Sequence, residues 1–219
     1  MALYDISEPI EPGTAVFPGD TAFSAEWIAR LERGDSCNVS TMRMSVHCGT
    51  HADSPSHFVA GGADIASVPL DVYLGRCRVL DVTARGEPPL VDPASLTGRL
   101  EGVERVLLRT SRRHDHRRFD PAFTALGPDA ARVLIAAGVR LVGLDTPSMD
   151  HATSKDLPTH HLLARHGVAL LENLDLGRVP VDPERGTDYE LVALPLKIVG
   201  SDSGPVRAIL RDLSPAESP

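Results

Sequence analysis

The sequence is organised around Ser45-Val46-His47-Cys48-Gly49-Thr50-His51-Ala52-Asp53-Ser54-Pro55-Ser56-His57-Phe58. Three histidines and one aspartate of this stretch fall within eleven residues, at spacings of four, two and four. His47, His51 and Asp53 offer two imidazoles and a carboxylate, a nitrogen and oxygen ligand set that suits zinc or manganese. His57 remains as a candidate proton shuttle. The stretch therefore predicts a metal centre with hydrolytic chemistry.

The residues just before this cluster predict the strand that carries it. Residues 41–46 alternate between polar and apolar side chains, which is the period of a half-buried strand. We expect that strand to end at His47, and Gly49 to let the backbone turn so that His51 and Asp53 face back toward it. A long helix is disfavoured here by the glycine and by the proline that follows the cluster.

The composition is that of an ordinary globular protein. Of its 219 residues, 42% are hydrophobic, and no repeat or linker-like segment divides the chain, so we predict a single domain over residues 1–219. The formal net charge of −8 argues against nucleic acid or an anionic membrane as partner. The sequence shows no signal-like N-terminus and no membrane-spanning apolar run, so we expect a cytoplasmic protein that acts on a small molecule.

The three cysteines, Cys37, Cys48 and Cys77, form no CxxC pair and are expected to be reduced thiols. Cys48 lies inside the histidine stretch, where it could be a ligand or a nucleophile. Free cysteine is more often a small buried packing residue, and we favour that interpretation.

Beyond the histidine stretch, the sequence predicts strands and helices in mixed order. Helices are expected at residues 128–137 and after Asp156, which would cap the second helix. Strand patterns occupy residues 3–6, 76–83, 105–109, 139–144, 168–171 and 189–199, and a last apolar segment covers residues 206–210. A helix followed directly by a strand favours a mixed or parallel sheet with helical cover, so we predict an α/β fold.

Four further residues are candidates for the same chemistry. Glu172 follows an apolar strand, where a buried carboxylate would be unfavourable unless a metal ion or another partner satisfied it. His160 lies on the predicted second helix and could reach the same place. Each residue alone is equally well explained as a surface side chain. His114 and His116 have an HxH spacing, but the charges around them favour a solvated loop.

These motifs resemble those of a known family. The segment from His47 to His57 matches the HxGTHxDxPxH signature of the cyclase family of metal hydrolases, and within that family the sequence is most similar to bacterial kynurenine formamidases. Weaker similarities occur in the family's order at Leu3-Tyr4-Asp5-Ile6-Ser7, Phe17-Pro18-Gly19-Asp20, Gly143-Leu144-Asp145-Thr146-Pro147-Ser148, His160-His161, Leu171-Glu172-Asn173-Leu174, Leu194-Pro195-Leu196-Lys197 and Pro205-Val206-Arg207-Ala208. The resemblance implies a mixed β-sheet that curls toward a barrel with flanking helices, assembled as a homodimer or a higher homo-oligomer.

The resemblance also implies a site with two divalent metal ions, zinc first and manganese as the alternative. His47, His51 and Asp53 would hold one ion, with Asp53 placed to bridge to the second. His160 would bind the second ion, and Glu172 would contact both.

The activity implied is hydrolysis of N-formyl-L-kynurenine to L-kynurenine and formate, in tryptophan degradation. Metal-activated water would attack the formyl carbonyl, and His57 would carry a proton to the departing arylamine. Phe17 matches an aromatic position that the formamidases use against the substrate's aryl ring. They usually carry tryptophan there, so the substrate could differ.

Two alternatives stay open. The same site could hydrolyse another cyclic amide or lactone, such as an isatin-like compound, or the cluster could be the metal site of a non-catalytic binding protein. Serine hydrolysis would need a G-x-S-x-G elbow, and the nearest match, Gly200-Ser201-Asp202-Ser203-Gly204, has aspartate at its centre.

Overall fold

The computed structural model describes residues 1–111 and 115–213. Within these ranges the strands are β1 (Leu3–Asp5), β2 (Ser24–Ala29), β3 (Val39–Arg43), β4 (His51–Asp53), β5 (Leu74–Asp81), β6 (Ala84–Arg85), β7 (Leu90–Val91), β8 (Arg105–Arg109), β9 (Leu141–Leu144), β10 (Ala169–Glu172), β11 (Thr187–Val192), β12 (Ser203–Pro205) and β13 (Ile209–Asp212). The α-helices in the same ranges are α1 (Pro128–Ala136) and α2 (Pro158–Arg165).

Nine of the strands form one mixed sheet in the order β1-β13-β11-β5-β8-β9-β10-β4-β12. The four neighbours β5, β8, β9 and β10 run parallel, and every other pairing in the sheet is antiparallel. The sheet curls into a half-barrel, so the predicted α/β fold with a curled mixed sheet is confirmed. Two short hairpins, β2–β3 and β6–β7, lie outside it.

The centre of the sheet is buried on both faces. In β8, Val106 and Leu108 point into the core that α1 and α2 cover, whereas Leu107 points into the core on the opposite face. This burial on both faces explains the unbroken apolar centre of β8, residues 106–108. Gly143 in β9 has no room for a side chain, because an added Cβ would lie 2.6 Å from Leu107 Cδ2 and 2.7 Å from Leu174 Cδ1.

Both predicted helices form, but the second begins differently from the prediction. Asp156 does not cap α2. The N-cap residue is Leu157, which lies in the left-handed region (φ 40°) and makes no side-chain capping hydrogen bond. The first free N–H groups of α2, those of Thr159 and His160, donate instead to the carboxylate of Asp150. No helix in the described ranges is both long and apolar enough to cross a membrane.

The strand before the histidine cluster also differs from its prediction. It is β3, which ends at Arg43, is exposed along its whole length and pairs only with β2. Met42 of β3 is 62% exposed, so the described residues form no core against this strand, whereas Met44 and Val46 beyond its end are half-buried. The predicted strand 189–199 ends at Val192, before a proline at 195 that cannot donate to the ladder. Residues 206–210 lie mostly between β12 and β13 rather than in one strand.

Candidate metal centre

β4 and β10 bring three of the predicted ligands to one face of the sheet. Side chains alternate along β4, so His51 and Asp53 share a face, while Ala52 points into the opposite core. Antiparallel pairing sets Glu172 of β10 directly opposite His51. All three side chains are almost fully buried.

His160 reaches the same face from the first turn of α2. Its Nε2 lies 3.3 Å from Glu172 Oε1 and 3.9 Å from Asp53 Oδ2. The Asp150 carboxylate, which accepts the first N–H groups of this helix, also accepts from His160 Nδ1 at 2.7 Å. One carboxylate therefore fixes both where α2 starts and how its histidine is turned.

His47 completes the cluster from a loop. It stands four residues after β3, in a turn rather than at the end of a strand, so the predicted strand-end position is wrong. Gly49 adopts a left-handed conformation (φ +68°), as the predicted turn requires. The turn leaves His47 Nδ1 at 3.2 Å from Asp53 Oδ1.

Hydrogen bonds orient the imidazoles of His47, His51 and His160 in the same way, with one ring nitrogen turned away from the cluster. Each donates one ring N–H to an acceptor outside the cluster: His51 Nδ1 to the Gly49 carbonyl (2.9 Å), His160 Nδ1 to Asp150 (2.7 Å) and His47 Nε2 to Asp202 (2.9 Å). The second nitrogen of each ring consequently faces the carboxylates of Asp53 and Glu172. Metal-binding histidines have this arrangement, in which an outer acceptor sets the tautomer.

The inner atoms of the cluster lack sufficient partners of their own. His51 Nε2 lies 3.4 Å from Asp53 Oδ1, close enough for electrostatic attraction but not aligned as a hydrogen bond. Within the described residues, His51 Nε2 and both Asp53 oxygens are buried with no hydrogen-bond partner. Such atoms are unfavourable unless a cation binds them. The donor set therefore fits a divalent metal ion.

In the metal-free protein, the carboxylates of the cluster favour the protonated form of its histidines. Burial opposes the charge on His51, but Asp53 and Glu172 outweigh it and raise the pKa of His51 well above its ordinary value. Burial likewise opposes the charge on His160, and Asp150 and Glu172 nevertheless raise its pKa to about 10. Burial disfavours the Asp53 carboxylate, yet the neighbouring imidazoles of His47 and His51 hold its pKa well below the ordinary range.

The ligand atoms form two adjoining groups. His47, His51 and Asp53 make one, and Asp53, His160 and Glu172 make the other; within each group the atoms lie within 4.8 Å of one another. Asp53 is common to both groups, whereas Glu172, which the resemblance implies would contact both ions, belongs to the second group only. The number of ions and the part each residue plays stay predictions.

His57 lies beside the cluster, on a short 3₁₀ helix (Pro55–His57). Its ring centroid is 4.3 Å from that of His47, and its Nδ1 donates to Asp202 Oδ2 at 3.1 Å. About a third of the side chain is exposed. Its Nε2 is thus the nitrogen available to a bound molecule, which suits the predicted proton shuttle.

Phe17 is not brought to the cluster. It packs edge-on against Phe119 at 5.2 Å and lines a cavity of about 360 Å³ whose described walls include none of the predicted metal or proton-transfer residues. The aromatic side chain beside the cluster is Phe58, whose ring lies 5.4 Å from that of His160. The predicted substrate contact of Phe17 stays a prediction.

Two carboxylates next to the cluster were missed by sequence reasoning. Asp150 and Asp202 both sit in irregular segments rich in turn-forming residues, where aspartate is common for local reasons. Asp202 was noted only because it interrupts a nucleophile-elbow pattern. No periodic or spacing signal in the sequence distinguishes either residue from an ordinary loop aspartate.

The other candidate ligands lie outside the cluster. Cys48 is fully buried, and burial raises the pKa of its thiol, which agrees with the packing interpretation. His116 pairs with Glu11 at 2.8 Å, whereas its HxH partner His114 lies outside the described residues.

The family model named Cyclase matches residues 4–151, more than half of the chain. The chain therefore belongs to the Cyclase family. The matched segment includes the histidine stretch, β4 and Asp150, and it ends before α2 and β10.

Similar solved structures extend the likeness to nearly the whole chain. One is described as a potential metal-dependent hydrolase with cyclase activity; it is 32% identical over 98% of this chain and 99% of that chain, with a TM-score of 0.80. A predicted metal-dependent hydrolase from Bacillus stearothermophilus is 31% identical over 95% and 97% of the two chains, with a TM-score of 0.78. Isatin hydrolase A from Labrenzia aggregata, bound to benzyl benzoate, is 24% identical over 97% and 94%, with a TM-score of 0.75, a likeness of fold.

Proposed function

We propose that this protein is a metal-dependent hydrolase of amides whose nitrogen is attached to an aromatic ring, with N-formyl-L-kynurenine as substrate and L-kynurenine and formate as products. The observation that carries the proposal is the buried cluster in which imidazole nitrogens and carboxylate oxygens face one another without adequate partners. Structures described as metal-dependent hydrolases share the fold at more than 30% identity, which supports the reaction class.

The metal ions would be held by the two groups that share Asp53. His47 and His51 would complete one group, and His160 and Glu172 the other. When bound, the ions would lower the pKa of a water molecule and polarise the amide carbonyl. The mixed nitrogen and oxygen donors suit zinc and also admit manganese.

The chain's own part in the reaction is proton transfer by His57. Its Nδ1 is hydrogen bonded to Asp202, so Nε2 would take up a proton and deliver it to the amide nitrogen as the C–N bond breaks. An arylamine is a better leaving group than an alkylamine, so a single histidine suffices for this step.

A second candidate substrate is a cyclic aryl amide of the isatin kind. Two observations favour it: Phe17 stands where the formamidases usually carry tryptophan, and isatin hydrolases share the fold. Opening such a ring uses the same bond type, an acyl carbon joined to an arylamine nitrogen. A non-catalytic metal-binding protein is the remaining alternative, which the half-exposed His57 beside the buried cluster disfavours.

A formate-release assay on N-formyl-L-kynurenine tests the proposal directly. Metal-stripped protein would be resupplied with zinc or manganese and assayed beside isatin, an N-formylalkylamine and a simple lactone. We expect formate release from the aryl amide, dependent on added metal, and little from the alkyl amide.

Each outcome separates the candidates. Preference for isatin would replace the formamidase proposal with the second candidate. Stoichiometric metal binding without hydrolysis of any amide or lactone would favour the binding protein. Full activity after removal of metal would exclude the metal-dependent mechanism.

We also propose that the protein forms a homodimer or a higher homo-oligomer. The β2–β3 hairpin supports this, because it exposes Trp27, Ile28, Val39 and Met42 on a two-stranded sheet with no core behind it. An isolated hairpin of this kind is marginally stable in water. Sedimentation analysis of the intact protein would test the assembly, and a monomer at micromolar concentration would contradict it.

A further inference from the structure

We propose that Asp202 is a positioning residue that holds His47 and His57 in defined tautomers through a single carboxylate oxygen. Asp202 Oδ2 lies 2.9 Å from His47 Nε2 and 3.1 Å from His57 Nδ1. The inference rests on the proposed function, because it assigns Asp202 a part in the same site. Neither the family resemblance nor the predicted ligand sets include this residue.

The backbone around Asp202 is built to hold that oxygen in place. β12 begins at the next residue and pairs with β4, so that Ser203 lies opposite Asp53. The Asp202 carbonyl accepts from both the backbone N–H and the hydroxyl of Ser54, each at 3.0 Å. The pairing that fixes the candidate ligand Asp53 therefore also fixes Asp202.

A shared acceptor has a different consequence for each histidine. On His47, a proton kept at Nε2 leaves Nδ1 as a lone pair directed at Asp53 and the metal cluster. On His57, a proton kept at Nδ1 leaves Nε2 free to accept and return the proton that catalysis moves. An outer-sphere carboxylate with these two bonds would couple metal binding to proton transfer.

His47, His57 and Asp202 could alternatively hold a cation of their own, since their ligand atoms also lie within 4.8 Å of one another. His47 would then bind one cation through Nε2 while Nδ1 serves the buried cluster, which requires an imidazolate with no proton on either ring nitrogen. A hydrogen-bonded carboxylate needs no such species. The side chain of Asp202 is also half-exposed, whereas the ligands of the cluster are buried.

The test compares wild type with Asp202→Ala in the metal-loaded protein. Imidazole ¹⁵N NMR reports the tautomers of His47 and His57, independently of any substrate. We expect both signals to lose the single-tautomer pattern. At saturating metal, kcat should fall about 10- to 100-fold while KM changes little, and metal affinity should fall about 10-fold. Asp202→Asn keeps one acceptor oxygen and should give intermediate values.

Two controls isolate the effect. Asp64→Asn removes a carboxylate that accepts from the Gly200 N–H in the same turn but touches neither histidine, so it should leave the tautomers unchanged. In a His57→Ala background, Asp202→Ala should reduce kcat little further, because its effect on turnover passes through His57.

Defined results overturn the inference. Unchanged tautomers in Asp202→Ala, or losses of kcat that multiply in the double variant, would remove the positioning role. Loss of a whole equivalent of bound metal would make Asp202 a ligand instead. If wild type hydrolyses none of the substrates, the proposed function fails, yet the NMR comparison still decides whether Asp202 orients the two histidines.

Discussion

Metal binding to the metal-free protein should release about two protons at about pH 7. The pKa of His160 is raised to about 10, and that of His51 well above its ordinary value, so both rings carry two protons in the metal-free state. A metal ligand must present a lone pair, and each ring has its outer N–H committed to Asp150 or Gly49. The proton on the inner nitrogen of each ring must therefore leave when the ion binds.

The magnitude follows from this count. With two protons displaced, the apparent metal affinity should rise about 100-fold for each pH unit between about pH 6 and about pH 8. Burial opposes the charge on His47, but Asp53 and Asp202 outweigh it and raise the pKa of His47 as well, so this residue can only add to the count. A site of neutral, solvent-exposed histidines would instead release almost none above its ordinary pKa.

Isothermal titration of zinc in buffers with different ionisation enthalpies measures the number of protons released. His160→Gln should reduce that number by about one and weaken binding, since it removes both the ligand and its proton. His161→Gln, the neighbouring residue outside the cluster, is the matched control and should leave the count unchanged. A wild-type count near zero would refute the electrostatic account of the cluster.

The same protons set the pH dependence of the metal-free fold. Because the folded-state pKa of His160, about 10, exceeds the ordinary value of 6.5, its contribution to stability is complete below pH 6.5 and is lost as pH rises through 10. Metal-free protein should therefore unfold more readily at alkaline pH, by roughly 1.4 kcal/mol for each pH unit per such group as an upper bound. Thermal unfolding in the presence of a chelator, measured between pH 6.5 and pH 10, tests whether stability falls as the pH rises.

Three substitutions probe separate parts of the structure. His57→Ala should keep the metal content and lower kcat by about 10²- to 10⁴-fold in the formate assay, and unchanged turnover would remove the shuttle role. Asp150→Ala should weaken metal binding about 10- to 100-fold by calorimetry, because it frees His160 to rotate and uncaps α2; equal affinity would contradict this. Gly143→Ala should lower the free energy of unfolding in urea by about 1–3 kcal/mol, because its Cβ would overlap Leu107, and an unchanged midpoint would contradict that packing.

The sheet could be predicted where local pattern and burial agree. β8 and β10 are short and have buried apolar centres, residues 106–108 and 170–171, so composition alone indicates them. The half-buried strand predicted before His47 is wrong, because the alternation in β3 resembles that of a strand lying on a core. Among the described residues β3 pairs only with β2, which is also exposed. Periodicity reports which side chains are apolar, and it does not report whether the chain supplies something to cover them.

The cluster was predictable in part for a similar reason. His51 and Asp53 are two residues apart on one strand, so local spacing alone places them on a common face. Glu172 and His160 join them through strand pairing and helix packing. The residues alone made both candidates but explained each equally well as a surface side chain, and the resemblance assigned them to the site. Asp150 and Asp202 act across 10 and 155 residues of sequence on His160 and His47, and no local pattern records such contacts.

The position of the cluster explains why the fold accepts two buried carboxylates so close together. Burial and the neighbouring Asp53 each raise the pKa of Glu172, and the imidazoles of His160 and His51 bring it below its ordinary value. The cluster is therefore balanced by imidazoles from β4 and α2 rather than by solvent. A divalent ion would supply the missing positive charge directly and join a loop, two strands and a helix at one point. Metal binding should thus stabilise the packing of the His47 loop and β4 against α2 and β10, as well as create the reactive site.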